Sequence, residues 1–111
     1  MPVTRIIRYT TSPENAVTNE RLVGDVFAEL AATQPDGLRY AAFRLDDGTT
    51  FVHLAVLDGD DNPLTASAAF AQFQLGIADR CTSGPVAADA ALIGSYQLLP
   101  DTTPPPAAQR I

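Results

Sequence analysis

The chain contains one cysteine, one histidine and no tryptophan, and no lysine, since every basic residue is an arginine. Because Cys81 is alone, an internal disulfide and a multi-cysteine zinc site are both excluded. A chain that needs no disulfide suits a reducing compartment, so we predict a cytoplasmic protein. It has neither an N-terminal signal-peptide pattern nor an apolar run of the roughly 20 residues that a membrane span requires. We therefore expect no membrane partner.

Positive charge is also scarce. The 111 residues include 13 acidic and 7 basic side chains, which gives a formal net charge of -6. Nucleic-acid binders carry basic patches, so a nucleic-acid partner is not expected. The length fits one domain, which we place at residues 1–98. Arginine without lysine, together with abundant alanine, is typical of a GC-rich bacterial genome. No cofactor-binding or nucleotide-binding motif is present, and we predict neither a cofactor nor a metal.

The apolar pattern predicts six elements. Runs rich in β-branched and aromatic residues with alternating polarity indicate strands, and apolar spacing of three and four residues indicates helices. The final proline-rich segment, 99–111, has little to bury and is predicted to be disordered. The predicted elements are a strand over 3–9, a helix over 16–32, strands over 38–45 and 50–57, a helix from 65 or 67 to 80, and a strand over 87–98.

Local signals mark the ends of these elements. The first helix has two competing start signals: Thr11 with Glu14 as a capping box, or Ser12 as N-cap before Pro13. The stretch "QPDG" ends that helix, and "TSGP" is expected to break the chain after the second one. Gly94 is expected to mark a bulge in the last strand. The resulting order, β-α-β-β-α-β, is the ferredoxin-like α+β arrangement with both helices on one face of a four-stranded antiparallel sheet.

The central hairpin, "YAAFRLDDGTTFVHLAV", separates two sets of side chains. Asp47 and Gly48 predict a two-residue type I′ turn, which places Ala42 opposite His53. Alternation then gives one wholly apolar face, which we expect the helices to cover. Its members are Ala41, Phe43, Leu45, Val52, Leu54 and Val56. The other face carries Leu38, Tyr40, Ala42, Arg44, Phe51, His53, Ala55 and Leu57.

The second of these faces has no helix left to cover it, yet it is too apolar for water. An exposed patch of that kind marks an interface. The sequence therefore predicts a homodimer through the sheet face, with a cavity between the two sheets. His53, Tyr40 and Arg44 would line that cavity, and Tyr9 and Tyr96 could join them.

The β-α-β-β-α-β order resembles the dimeric α/β-barrel superfamily. Together with the stretches "NERLVGDVFAEL", "GLRYAAFRLDDGTTFVHL", "FAQFQLGIADRC" and "GSYQL", it resembles in particular the antibiotic biosynthesis monooxygenase-like proteins. The resemblance covers residues 3–98. It implies a dimer with an enclosed, mostly apolar cavity beneath the helices. Relatives include cofactor-independent oxygenases acting on aromatic molecules and haem-degrading enzymes. The latter use a tryptophan and a helix-borne histidine, whereas this chain lacks tryptophan and carries its histidine on a strand.

The candidate catalytic residues are His53, Tyr40 and Arg44. An imidazole titrates near neutral pH and can serve as general acid or base, and an arginine beside a tyrosine can stabilise an enolate oxygen. The alternative is that all three only pack at an interface. The predicted substrate-binding residues are Phe51, Tyr9, Tyr96, Leu38 and Leu57.

Two further features are interpreted as structural. The stretch "DGDDN" at 58–62 resembles the start of a calcium loop, but Pro63 replaces the required glycine and Ala69 the required glutamate. Cys81 follows a helix whose C-terminal carbonyls oppose a thiolate, so it is interpreted as a free structural thiol. Two functions are favoured over a third, a haem-handling protein: a cofactor-independent monooxygenase acting on a small hydrophobic molecule, or a non-catalytic ligand-binding or structural homodimer.

Overall fold

Four antiparallel strands form one sheet, in which the strands lie in the order second, third, first and fourth along the chain. The computed structural model describes residues 2–59 and 61–98. The predicted β-α-β-β-α-β fold is confirmed, with the second helix divided into short pieces. The strands are β1 (Val3–Thr11), β2 (Leu38–Arg44), β3 (Thr50–Leu57) and β4 (Cys81–Ala90). The helices are α1 (Pro13–Thr33), a 3₁₀ turn (Pro63–Ala66), α2 (Ala68–Gln74) and α3 (Ile77–Arg80).

Helix α1 begins at the second of its two predicted start signals. Ser12 is the N-cap in extended conformation, and Pro13 occupies the first helical position. Proline suits that position because its missing N–H would have no helical partner there. The helix ends where Gln34 adopts a left-handed conformation with φ of 48°, its N–H donating to the carbonyl of Leu30.

The hairpin has the predicted register but a different turn. Ala42 lies opposite His53, as expected. Of the turn residues only Gly48 has a positive φ, and its N–H donates to the Leu45 carbonyl at 3.0 Å. A type I′ turn would need two positive values, so that prediction is wrong. The Asp47 carboxylate instead accepts the N–H groups of the two residues that follow Gly48, and these bonds, after the one from the Thr50 hydroxyl, hold its pKa near 2.

The prediction of which sheet face meets the helices is wrong. The alternation itself is right, but the helices cover the mixed face rather than the wholly apolar one. His53 is only 3% exposed, whereas Phe43 on the other face is 41% exposed. The prediction was based on apolarity alone. The buried polar atoms of this face all have hydrogen-bond partners, and no described side chain has an unpaired buried polar atom, so the face can be buried despite its polar groups. The buried core members are Tyr9, Ala16, Val23, Val26, Phe51, Leu64 and Phe73.

The second half of the chain departs further from prediction. The long helix expected up to residue 80 is interrupted at Gly76, whose φ of 80° does not continue a helix. The stretch "TSGP" lies inside β4 rather than breaking the chain, and β4 ends at Ala90. Gly94 therefore lies beyond the sheet and marks no bulge in it. Gly84 is required where it stands, because an added Cβ would meet the Arg8 carbonyl oxygen at 2.8 Å.

Two other predictions can be compared with the structure only as far as it describes the chain. The proline-rich segment 99–111 lies outside them. Among the described residues, no helix is long and apolar enough to cross a membrane.

Candidate active site

A cavity of about 330 Å³ lies between the helix-covered face of the sheet and the segment from the 3₁₀ turn through α3. Its size falls in the range of small-molecule sites. Most of its wall is apolar, and polar groups reach it from the sheet and from the segment that faces the sheet. The apolar lining comprises Ile7, Ala55, Leu57, Leu64, Phe70, Phe73, Ile77 and Pro85, and the polar lining Arg5, Tyr9, Tyr40, His53, Asn62, Thr65 and Gln74.

His53 is held between two tyrosines. Its Nε2 lies 2.8 Å from the Tyr9 hydroxyl, and its Nδ1 lies 2.6 Å from the Tyr40 hydroxyl. The three residues sit on three adjacent strands, where cross-strand alternation turns all of them to the same face. The central strand therefore places an imidazole between two phenols, with both ring nitrogens engaged.

Two residues on other elements complete this network. Asn19 of α1 donates from Nδ2 to the Tyr9 hydroxyl at 2.8 Å, and Arg80 of α3 donates from Nε to Asn19 Oδ1 at 3.1 Å. Both residues are buried. Sequence analysis identified neither Asn19 nor Arg80. Asn19 could have been noticed, because it is the one polar residue among the four buried positions of α1. Arg80 stands at a helix end, where arginine is ordinary, so nothing singled it out.

The guanidinium of Arg80 is buried without a carboxylate within ion-pair distance among the described residues. Its terminal nitrogens donate to the carbonyls of Phe73 at 2.6 Å and Leu75 at 3.2 Å. It also lies over the Phe73 ring, 5.4 Å from the centroid. These neutral partners hold the guanidinium in one orientation, with Nε directed at Asn19.

Aromatic contacts fix the rings of the network. Tyr9 stacks on Phe51 with a centroid separation of 5.4 Å, and His53 stacks on Phe73 at the same separation. On the far side, Tyr40 stacks on Phe27 of α1 at 5.1 Å. Offset aromatic pairs of this kind restrict ring motion. The hydroxyl and imidazole groups are therefore preorganised before any ligand arrives.

All three groups of the network are neutral at pH 7, and burial strengthens this preference for the neutral form. It lowers the pKa of His53 to about 4 and raises the pKa of Tyr9 to about 12, in the second case against a smaller lowering by the hydrogen bond from Asn19. Burial also raises the pKa of Tyr40, and the neighbouring Tyr9 adds to that effect. A neutral imidazole between two intact phenols can orient hydrogen bonds but holds an extra proton poorly.

The structure brings together part of the predicted site. His53, Tyr40, Tyr9 and Leu57 all line the cavity, whose position is between sheet and helices rather than between two sheets. Phe51 is buried behind Tyr9 in the core.

Three predicted residues lie elsewhere. Arg44 points to the surface, donating to Glu20 at 2.7 Å. Tyr96 is 86% exposed beyond the end of β4. Leu38 lines a second depression of about 360 Å³ beside α1, which shares the Tyr40 ring with the main cavity. The predicted trio of His53, Tyr40 and Arg44 is therefore not a single cluster.

The residues of the cavity offer hydrogen-bonding oxygen and nitrogen atoms rather than a ligand set for a metal. Within residues 2–59 and 61–98, no group of three or more His, Cys, Asp or Glu side chains could hold an ion. Cys81 is a free, half-buried thiol at the start of β4, and burial raises its pKa.

Comparison with known proteins identifies the fold. No protein-family model matches the chain, and no curated protein matches it by sequence. Solved structures do match. Rv0793 from Mycobacterium tuberculosis has a TM-score of 0.68 and 18% identity, over 86% of this chain and 98% of that one. A Bacteroides thetaiotaomicron protein, provisionally named an antibiotic biosynthesis monooxygenase, reaches a TM-score of 0.71 at 14% identity, over 94% and 96%.

A third similar structure is a single-residue variant of SnoaB, a cofactor-independent oxygenase from Streptomyces nogalater. Its TM-score is 0.62 at 19% identity, over 85% of this chain and 95% of that one. Identities this low carry the fold and not the reaction. The chain has the ferredoxin-like fold of the proteins named antibiotic biosynthesis monooxygenases.

Proposed function

We propose that the protein is a cofactor-independent monooxygenase that acts on a small hydrophobic, aromatic molecule in the cavity beside His53. The observation that carries the proposal is the cavity itself: apolar walls of ligand size enclose a neutral His53 with a tyrosine hydroxyl on each ring nitrogen. The fold shared with an oxygenase named as cofactor-independent supports the same conclusion.

The chemistry needs little from the protein when the substrate is an enolisable aromatic ketone. Its ionised form supplies the electrons and molecular oxygen is the oxidant, so that a CH₂ group and O₂ become a carbonyl and one water. The apolar wall would exclude bulk water and the Tyr40 hydroxyl would stabilise the substrate oxyanion. Both His53 nitrogens are occupied by tyrosines, so we propose that His53 acts through them rather than on the substrate directly.

The expected result with anthrone as substrate is oxygen uptake that depends on Tyr40. Loss of one oxyanion donor typically costs about 10²-fold or more in rate, so Tyr40→Phe is expected to lower turnover by about that factor. An oxygen electrode measures the uptake, and the quinone product is followed by absorbance.

Tyr96→Phe is the matched control, because it removes the same hydroxyl from an exposed ring outside the cavity. Its turnover is expected to equal that of the wild type. Equal turnover in Tyr40→Phe as well would remove Tyr40 from the reaction, and no uptake by the wild type would remove the oxygenase proposal.

The second candidate function is non-catalytic binding of a similar ligand. The low pKa of His53 and the engagement of both its nitrogens favour it, because no described residue then offers the cavity a free base. Saturable binding of anthrone, followed through tyrosine fluorescence, without oxygen uptake would select this function.

We also propose that the chain forms a homodimer through the face of the sheet that the helices leave uncovered. This outer face carries a contiguous set of apolar side chains, and monomers rarely expose large patches of that kind. It is the opposite face from the one the sequence predicted. Its central members are Ile6, Ala41, Phe43, Val52, Leu54 and Val56, all half-buried or exposed in the single chain.

Light scattering is expected to give about twice the chain mass of 11.7 kDa. Leu54→Glu should convert the protein to a monomer, because it places a charge at the centre of the outer face. Val17→Glu is the control, since Val17 is exposed on α1, away from that face. A wild-type monomer at micromolar concentration, or an intact dimer of Leu54→Glu, would contradict the proposal.

A further inference from the structure

We infer that Arg80 and Asn19 set the direction of every hydrogen bond around His53, so that the Tyr40 hydroxyl is the donor that the cavity presents to a ligand oxygen. Neither residue faces the cavity. They are positioning residues, and their effect passes through Tyr9 and His53. The direction of the network follows from the donor and acceptor chemistry of each group in turn.

The direction starts at Arg80, because a guanidinium nitrogen can only donate. Its Nε–H therefore identifies the partner atom of Asn19 as the carbonyl Oδ1, at 3.1 Å. The amide nitrogen of Asn19 must then be the atom that faces Tyr9, where it donates to the hydroxyl oxygen at 2.8 Å. The usual ambiguity between the two ends of an asparagine amide is thus removed by a partner that has no acceptor.

The direction continues through Tyr9. A phenolic hydrogen lies near the ring plane, so the hydroxyl has one in-plane side for its hydrogen and one for an accepting lone pair. Asn19 occupies the accepting side, and Tyr9 is only 2% exposed, so the hydrogen is left to donate to His53 Nε2 at 2.8 Å. Nε2 of His53 is therefore the unprotonated nitrogen.

The last step leads from His53 to the cavity. A neutral imidazole carries one N–H, which must then be on Nδ1 and donates to the Tyr40 hydroxyl oxygen at 2.6 Å. The Tyr40 hydroxyl accepts on that side and retains its own hydrogen. Among the described residues this hydroxyl has no second hydrogen-bond partner, and its ring lines the cavity. The free hydrogen of Tyr40 is thus available to a ligand.

The consequence is a preference for ligand chemistry. A ligand that places a carbonyl, phenolate or enolate oxygen against Tyr40 satisfies the free donor, whereas a hydrocarbon of the same shape leaves it unpaired. This preference rests on the proposed function, because it requires the cavity to be a binding site. The direction of the network does not rest on it.

Nitrogen-15 NMR of the histidine ring tests the direction without any ligand. The protein has a single histidine, so the ring signals belong to His53, and Nε2 is distinguished from Nδ1 by its couplings to both carbon-bound ring protons. At pH 7 the expected spectrum shows a protonated Nδ1 and an unprotonated Nε2. A protonated Nε2 in the wild type would overturn the inference.

Asn19→Asp is expected to reverse the network. Its carboxylate only accepts, so Tyr9 would donate to it and accept from His53, which moves the ring proton to Nε2. Asn15→Asp is the matched control: it adds the same charge one turn earlier on α1, where Asn15 contacts Ser12 and not the network. An unchanged Nε2 signal in a folded Asn19→Asp protein would contradict the role of Asn19. If that variant does not fold, the wild-type spectrum still decides the direction.

A pair of ligands tests the preference. Anthrone and 9,10-dihydroanthracene share three fused rings, and only anthrone carries an oxygen. In the wild type anthrone is expected to bind at least about 10-fold more tightly, a factor typical of one hydrogen bond, and Tyr40→Phe should reduce the ratio to near one. Equal binding of the two in the wild type would overturn the ligand preference while the NMR result stands. Preference for anthrone without oxygen uptake would contradict only the proposed oxygenase.

Discussion

Lowering the pH from 7 to 5 is expected to reduce the free energy of unfolding by about 2 kcal/mol, with protonation of His53 as the cause. The imidazole is neutral in the folded protein, where burial lowers its pKa to about 4 from an ordinary value of 6.5. In the unfolded chain it takes up a proton near pH 6.5. The unfolded state therefore binds more protons than the folded state between these two values.

The sign follows from that difference. The contribution of His53 to stability is fully present above about pH 6.5 and is lost progressively as the pH falls towards 4. Asp47, whose pKa is lowered to about 2, and Glu29, whose pKa is also lowered, lose their contributions as the pH falls from the ordinary carboxyl pKa of about 4 towards their lowered values, mostly below pH 5. Because the chain has a single histidine, the interval from pH 7 to 5 reports on His53 almost alone.

Chemical denaturation at a series of pH values measures this effect. His53→Gln is the comparison, because glutamine keeps a donor and an acceptor but does not titrate. The free energy of unfolding of this variant is expected to change by less than about 0.5 kcal/mol over the same interval. A wild-type stability that is flat between pH 7 and 5 would show that His53 titrates normally and is not buried as described.

Replacing Arg80 with methionine is expected to destabilise the fold by about 3–5 kcal/mol. The side chain makes three hydrogen bonds inside the protein, to Asn19 and to the carbonyls of Leu75 and Phe73. Methionine has a similar apolar length but no donor, so all three acceptors lose their partner in a buried setting. Arg80→Lys can restore at most part of the set, because an ammonium cannot span the planar geometry of a guanidinium.

Denaturant unfolding with Arg21→Met as control separates this effect from a general loss of arginine. Arg21 is exposed on α1 and makes only a pair with Asp25 at 3.8 Å, so its replacement should cost about 0.5 kcal/mol or less. We expect the order wild type, Arg80→Lys, Arg80→Met in decreasing stability. A loss below about 1 kcal/mol for Arg80→Met would mean that the guanidinium does not stabilise the packing of α3 beside Asn19.

The order of elements could be predicted because it depends on local patterns. Strands alternate with a period of two and α1 repeats apolar residues every three or four positions, and those periods are visible in the chain. The hairpin register was right even though the turn type was wrong. The last residue pair before the turn lies one residue farther from the tip of the hairpin on each strand than predicted. The register is therefore unchanged, and Ala42 still lies opposite His53. Such errors do not change which side chains share a face.

The helix-covered face could not be predicted in the same way. The hairpin offers two faces, and by composition alone the one with fewer polar atoms suits a core better. His53 and its tyrosines can be buried because two different helices complete their network: Asn19 donates to Tyr9, and Arg80, 61 positions away from Asn19 along the chain, donates to Asn19. No local pattern contains a contact of that separation.

By itself the sequence determined the element order, the hairpin register and the set of side chains that accompany His53 on its face, because each depends on residues a few positions apart. Only the tertiary structure decided that this face lies beneath the helices, that Arg44 and Tyr96 lie outside the cavity, and that Asn19 and Arg80 belong to the network. The physical reason is that a buried polar group is stable only with partners, and here those partners come from distant parts of the chain.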